Sequence, residues 1–291
     1  MSASVSPTHP EQPGRPTVGV VTVTHNDERF MDQYLGALHR QIHRPDRIIL
    51  VDSGSSHPER MKAKVAQYDL PIEILYAGKD VGFCVGSNVG WRIVKDLSYC
   101  MFLNPDAFLA PDFIERAIAY MESEPTVGAV TPSLVRYDIQ SEQPLNAIDT
   151  TAVVRNWYGN FVERDCGRPV KELEKYKAPN DIPWFCAAVA FARREALEDV
   201  VEHGDQIFDE SFFMYKDDTD LSWRVRRAGW RIVHHPGLFG YHCRGWKKRS
   251  AFSRELRLLS ARNEVTTCIK NRSPFVLLSL AKYAVVGLFN L

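Results

Sequence analysis

Val18-Gly19-Val20-Val21-Thr22-Val23-Thr24-His25-Asn26 is the stretch on which the fold turns. Its first seven residues carry no charge and are mostly β-branched, as suits a strand buried on both faces of a parallel sheet. Outward from it the chain alternates. Phe30 to Gln41 sets apolar residues at Phe30, Met31, Tyr34, Leu35 and Leu38, which is helical spacing. Arg47 to Val51 is a second strand and breaks into the turn-forming Asp52-Ser53-Gly54-Ser55-Ser56. A helix over Glu59 to Tyr68, a strand over Ile72 to Tyr76, a helix over Val89 to Leu97 and a strand over Tyr99 to Leu103 follow. Then come a helix over Asp112 to Met121, with Pro111 suited to its start, and a fifth strand over Val127 to Val135. This order predicts an α/β fold with a doubly wound, mostly parallel sheet and right-handed crossovers. Such sheets bind ligands beyond the carboxyl ends of their strands. This chain puts Thr24-His25-Asn26, Asp52-Ser53 and Asn104-Pro105-Asp106 there.

The second half is less regular. Arg136 to Pro183 is polar and aromatic without a clear period, and it is predicted to be a flap or insertion over the site. Phe185 to Ala192 reads as a short strand, Glu195 to Val201 and Thr219 to Ala228 as helices, and Arg231 to His234 as a strand. Arg244 to Arg272 holds nine Lys/Arg against two Glu, and Pro274 to Leu291 is apolar apart from Lys282. That run is slightly short for a membrane span. A basic stretch followed by an apolar helix suits peripheral attachment to an anionic membrane; two ordinary helices packed on the domain are the alternative. Residues 1–15 are polar and rich in Ser, Pro and Gln, and are expected to be a disordered lead-in.

With 291 residues, 45% apolar and 25% charged, the chain can bury one large core, and global disorder is excluded. Lys+Arg and Asp+Glu balance at 36 each, so no nucleic-acid partner is expected. The six cysteines are scattered without a C-x-x-C pair, which suits free thiols in a reducing cytoplasm.

Four segments carry chemistry. Leu103-Asn104-Pro105-Asp106-Ala107 delivers a carboxylate at a strand end, where it could hold a divalent cation against a diphosphate leaving group, although Asn-Pro-Asp is also an ordinary turn. Asp217, Asp218 and Asp220 crowd one helix start. Capping explains one such acid, but the set costs free energy unless a cation or substrate uses it, and a transferase needs a carboxylate as general base. Gly240-Tyr241-His242-Cys243-Arg244 offers a metal-ligating histidine, or with Lys247 and Lys248 a phosphate cradle or a solvated basic face. Gly78 to Gly90 is glycine-rich before a helix, yet it lacks both the dinucleotide and the phosphate-loop spacing.

Together these segments resemble glycosyltransferase family 2, within it the bacterial rhamnosyltransferase-like branch, from Val18 to about Arg244. The landmarks are Val-Thr-His-Asn at 23–26, Val-Asp-Ser-Gly-Ser at 51–55, Asp-Val-Gly-Phe with Asn88, Leu-Asn-Pro-Asp-Ala at 103–107 and Phe-Met-Tyr-Lys-Asp-Asp-Thr-Asp-Leu-Ser-Trp-Arg at 213–224. The resemblance implies a GT-A fold with a Rossmann-like nucleotide half, about 16–135, an acceptor half, about 136–245, and a helical tail, 246–291. It implies an inverting transferase that uses a nucleoside-diphosphate sugar, dTDP-rhamnose first and UDP-sugars next. A glycan or lipid-linked saccharide would be the acceptor, and the place of work the inner face of the cell membrane. Thr24, Asn26, Asp52, Asp80, Gly82, Asn88 and Asn104 match the nucleotide-sugar pocket. Asp106, standing where the family ends its Asp-x-Asp motif, and His242 match ligands of Mg²⁺ or Mn²⁺. Asp218 matches the catalytic base, with Asp217, where the family usually has Glu, as the neighbour that could act instead. Trp184, Phe185 and Cys186 fall where the acceptor pocket is lined. A sugar-nucleotide pyrophosphorylase would place a Gly-rich phosphate loop after the first strand, where Thr24-His25-Asn26-Asp27 stands, and the acidic cluster argues against a non-catalytic binding module.

Overall fold

The structure is a computed structural model that describes residues 14–244 and 252–289. Lys247 and Lys248 and most of the predicted lead-in lie outside the described residues. The strands are β1 (Val18–Thr24), β2 (Arg47–Asp52), β3 (Ile72–Tyr76), β4 (Tyr99–Leu103), β5 (Ala107–Leu109), β6 (Val127–Asp138), β7 (Gln143–Thr150), β8 (Val153–Arg155), β9 (Phe161–Glu163), β10 (Asn180–Asp181), β11 (Val189–Arg193) and β12 (Arg231–His242). The helices are α1 (Met31–His39), α2 (Pro58–Val65), α3 (Gly82–Val94), α4 (Phe113–Ser123), α5 (Arg194–Glu198), α6 (Asp217–Arg227), α7 (Arg254–Lys270) and α8 (Val276–Phe289).

Among the described residues one ten-stranded sheet runs β10-β12-β6-β11-β4-β1-β2-β3, with β5 on β12 and β7 on β6. β3, β2, β1 and β4 are parallel, β11 is antiparallel to β4 and β6, and β12 is parallel to β6. β1, β2, β4 and β12 therefore all end on the same edge. Side chains alternate across the sheet as the two-residue period requires. Val18, Val20, Ile48 and Leu50 join α1 and α4 in one core; Val21, Ile49 and Val51 join α3 and α6 in the other.

Three expectations change. α3 begins at Gly82, not Val89, because its glycines are a packing face rather than a loop. A Cβ on Gly86 would come within 2.7 Å of Val23, and one on Gly90 within 2.4 Å of Val21, so only glycine lets the helix lie this close to β1. The strand predicted to stop at His234 runs on to His242. Pro236-Gly237 is a register irregularity between His234 and Phe239, after which pairing with β6 resumes. Arg136 to Pro183 is not irregular either: it holds the end of β6, then β7, β8, β9 and β10. Much of β7 is exposed, so no apolar alternation betrays it.

α7 packs between α6 and α8. Lys270 at its end pairs with Glu202, Asp209 and Asp220. α8 leaves Leu277 80% and Leu288 78% exposed. No described helix is long and apolar enough to cross a membrane.

Candidate active site

The loops after β1, β2 and β3 meet at the common strand edge. Asn26 sits at a φ of 59°, and its backbone N–H donates to Ser55 Oγ at 2.8 Å while its side-chain oxygen accepts from Ser56 N–H at 2.9 Å. Asp52 is buried and accepts from Ser55 N–H at 3.3 Å. Ser53 Oγ–H donates to Asp80 at 2.9 Å, and the same oxygen accepts from the N–H groups of Val81 (2.8 Å) and Gly82 (3.2 Å). Gly54, at a φ of 70°, lies so close that a Cβ there would be 2.4 Å from the Lys79 backbone. Thr24 donates to Asp27 at 3.3 Å. Thr24, Asn26, Asp52, Asp80 and Gly82 thus belong to one assembly. Asn88 does not face it. It is fully buried on α3; its Nδ2 donates to Phe208 O and Glu210, and its Oδ1 accepts from Ile207 and Phe208 N–H. A side chain so committed holds the 207–210 segment in place.

Beyond β4, the turn at Asn104-Pro105-Asp106 closes with Ala107 N–H donating to Asn104 O. β5 then pairs with the end of β12, setting His242 opposite Ala107, and Cys243 N–H donates to Asp106 O at 2.8 Å. This brings His242 Nε2 to 3.2 Å from Asp106 Oδ1. On the other side His242 Nδ1 lies 2.6 Å from Asp149 Oδ2, supplied by β7. Burial alone would push the imidazole down. The two carboxylates overcome it and lift His242 to about 9. Burial likewise works to raise Asp106, but His242 and Arg244 hold it below its ordinary range. Asp149 is fully buried. Among the described residues no three His, Cys, Asp or Glu side chains converge as a ready metal cluster.

The third group stands at the start of α6. Asp217 is buried and Asp218 half-buried, its Oδ1 accepting from Thr219 N–H at 2.7 Å. Burial, and then the charge of Asp218, push Asp217 up to about 8. Arg244 lies beside the second group, its charge acting on Asp106. Its guanidinium donates twice to Glu163, at 3.1 Å, and to Cys186 Sγ at 3.4 Å. Glu163 is raised by burial first, with Asp149 and Asp218 adding to the push and Arg244 opposing it. Glu163 therefore feels the charges of Asp149 and Asp218. Arg244 is a bound partner of Glu163 here rather than part of a solvated face.

One consequence is measurable. Folded Asp217 keeps its proton to about pH 8, whereas the unfolded chain releases it near its ordinary value of about 4. Between these the folded state binds more protons, so this contribution to stability is lost as pH rises. Asp217→Asn should remove the loss, raising Tm at pH 8 by on the order of 5 °C more than at pH 4. A Tm difference that does not change with pH would contradict the assignment.

Trp184, Phe185 and Cys186 are all buried. Trp184 meets Phe161 edge-to-face and lies tilted against Trp223, and its indole N–H has no partner among the described residues. Cys186 touches Arg244, and Phe185 belongs to the core cluster that also holds Phe208 and Phe212. Asp149, Glu163 and Ser53 take part although no local signal gives any of them a role of its own. Asp149 and Glu163 sit in the stretch that lacks any period, and only the pairing of β7, β6 and β12 brings Asp149 to His242.

Comparison with known proteins identifies the family and the fold. The profile described as glycosyl transferase family 2 matches residues 19–201. An N-acetylglucosaminyl-diphospho-decaprenol L-rhamnosyltransferase of Mycobacterium tuberculosis is 26% identical over 242 residues, 77% of this chain and 75% of that protein. Rhamnosyltransferase WbbL of Escherichia coli is 25% identical over 248 residues, 82% of this chain and 88% of that protein. The mannosyltransferase PcManGT of Pyrobaculum calidifontis, solved with GDP-Man and Mn²⁺, superposes with a TM-score of 0.61 at 20% identity. It covers 97% of this chain and 73% of its own.

Proposed function

Because the chain belongs to glycosyl transferase family 2 and is a glycosyltransferase of GT-A fold, we propose that it moves a sugar from a nucleoside diphosphate to an acceptor hydroxyl by one inverting displacement. Rhamnose from dTDP-rhamnose is the first choice of donor, UDP-sugars the second, and the acceptor is a glycan or lipid-linked saccharide. The rhamnosyltransferase relatives support the sugar, and the name of the mycobacterial one supports a lipid-diphosphate acceptor. The observation that carries the reading is the Asp106–His242–Asp149 trio, with Glu163, the partner of Arg244, near enough to Asp149 and Asp218 for both charges to act on it.

Asp106 and, once its Nε2 proton is displaced, His242 would hold the divalent cation, Mg²⁺ or Mn²⁺. The donor set fits. Asp149 fixes Nδ1, the partnership usual behind a metal-ligating histidine, and two protein ligands leave room for diphosphate oxygens. When bound, the cation neutralises charge that develops on the departing diphosphate. The protein's own groups do the rest. Thr24, Asn26, Asp52, Asp80 and Gly82 form the nucleotide wall, with Asn104 beside it. Asp218 takes the proton from the acceptor hydroxyl, while Asp217, kept neutral by burial and by its neighbour, adds no second charge. A thermal-shift screen of nucleoside diphosphates and their sugars tests the donor. dTDP with Mn²⁺ should raise Tm, by about 2.7 kcal/mol of stabilisation at a hundred times its Kd, and no shift with dTDP or UDP would reject the donor assignment.

The acceptor places the enzyme at the inner face of the cell membrane, with α8 resting on the lipid. Exposed Leu277, Leu280, Leu288 and Phe289 on α8, after a basic stretch, support that contact. The full chain should cosediment with anionic vesicles, and a chain ending at Ser273 should not. Equal cosedimentation of the two would rule α8 out as the anchor.

A further inference from the structure

The chain reaches α6 through backbone that L-residues rarely adopt. The φ angles of Phe213, Tyr215 and Lys216 are 63°, 69° and 68°. Phe213, with ψ −60°, is the centre of a positive-φ γ-turn closed by Met214 N–H donating to Phe212 O at 2.7 Å, a rare and strained form. None of the three is glycine, so the conformation persists only because its surroundings over-determine it. One grip comes from the nucleotide side. Cys84 N–H donates to Phe213 O at 3.2 Å, and a Cβ on Gly82 would strike the Phe213 ring at 2.4 Å.

The other grip comes from the C-terminal helix α7. Asn263 is 1% exposed, and its Nδ2 donates to Phe212 O (2.8 Å), Met214 O (2.8 Å) and Tyr215 O (3.0 Å). Arg262 fixes which way the amide faces. It donates to Asn263 Oδ1 from Nε at 3.2 Å and Nη2 at 3.1 Å, and also to Ser211 O at 2.6 Å. Turning the amide over would set Oδ1 against three carbonyls and NH₂ against a guanidinium. One side chain thus holds three carbonyls of the segment that leads to Asp217 and Asp218.

We propose that Asn263 is a positioning residue for the transfer reaction: it fixes the 212–216 loop and through it the carboxylate of Asp218. The inference rests on the reading of Asp218 as base. It also makes α7 part of the catalytic unit rather than an attachment to it.

The test uses the full chain with dTDP-rhamnose, Mn²⁺ and an N-acetylglucosaminyl-diphosphoryl lipid, comparing Asn263→Ala, Asn263→Asp and Asp218→Asn. Asn263→Ala should lower kcat by up to about 10²-fold, the cost of a small misplacement, with the KM for the sugar nucleotide unchanged. Backbone amides over 213–218 should exchange with deuterium faster. Asn263→Asp keeps the shape but replaces the donor by an acceptor, so it should fall at least as far; a role in packing alone would leave it near wild type. Should either fail to fold, Asn263→Ser, which retains one donor, is read on the same two scales. Wild-type kcat and exchange in a folded Asn263 variant would overturn the proposal. Wild-type turnover in Asp218→Asn would instead overturn the base assignment, whatever the exchange shows.

Discussion

Asp218→Asn should lower turnover at least about 10²-fold, the usual weight of a general base, while leaving the fold intact. The substitution changes no volume, and Asp218 is half-buried at a helix start where an amide can still accept from Thr219 N–H, as the carboxylate does. What it removes is the capacity to take a proton from the attacking hydroxyl. Asp217→Asn is the informative contrast. Buried, and pushed up to about 8 by that burial and by Asp218, Asp217 already carries its proton at neutral pH. An amide there is a near-neutral exchange and should cost far less. The measurement is kcat at saturating sugar nucleotide for both variants, with folding checked by circular dichroism. Equal losses, or a larger loss at 217, would reassign the base.

The second large effect concerns the cation. A chelator in excess should reduce transfer to background, and added Mn²⁺ or Mg²⁺ should restore it. Asp106→Asn should lose at least about 10²-fold, comparable to removing one preorganised electrostatic group. Its stability should change little, because Asp106 is the more exposed member of the trio, 22% against 2% for His242 and 0% for Asp149. His242→Ala should behave differently. It leaves Asp149 as a buried charge without its partner, which costs about 3–5 kcal/mol. Activity loss without destabilisation at 106, and both together at 242, is the expected pattern in paired activity and denaturation measurements. Full transfer in excess chelator would remove Asp106 and His242 from the chemistry.

How much of the fold is legible in the sequence follows the strength of local signals. Val18 to Thr24, Ile48 to Asp52 and Tyr99 to Leu103 are buried on both faces, so composition alone announces them, and with them the strand ends that carry Thr24, Asp52 and Asp106. The glycines of α3 mislead because closeness to β1 and turn formation demand the same residue type. β7 is invisible because half of it faces solvent, and Asp149 is hidden with it. Its role depends on a pairing across 93 residues, which no local pattern encodes. Asn88 and Asn263 look alike in sequence, as single amides in helices. Only their partners show that one holds Ile207 and Phe208 and the other the carbonyls of Phe212, Met214 and Tyr215.

The most direct measurement is a crystal of the protein grown with dTDP and Mn²⁺, with the metal located by its anomalous scattering. The account predicts one metal peak within ligating distance of Asp106 and His242, touching the diphosphate, with the base against the 24–26, 52–55 and 80–82 loops and Asp218 facing the sugar side of the same cleft. A metal held elsewhere, or a nucleotide whose diphosphate points away from Asp218, would contradict it.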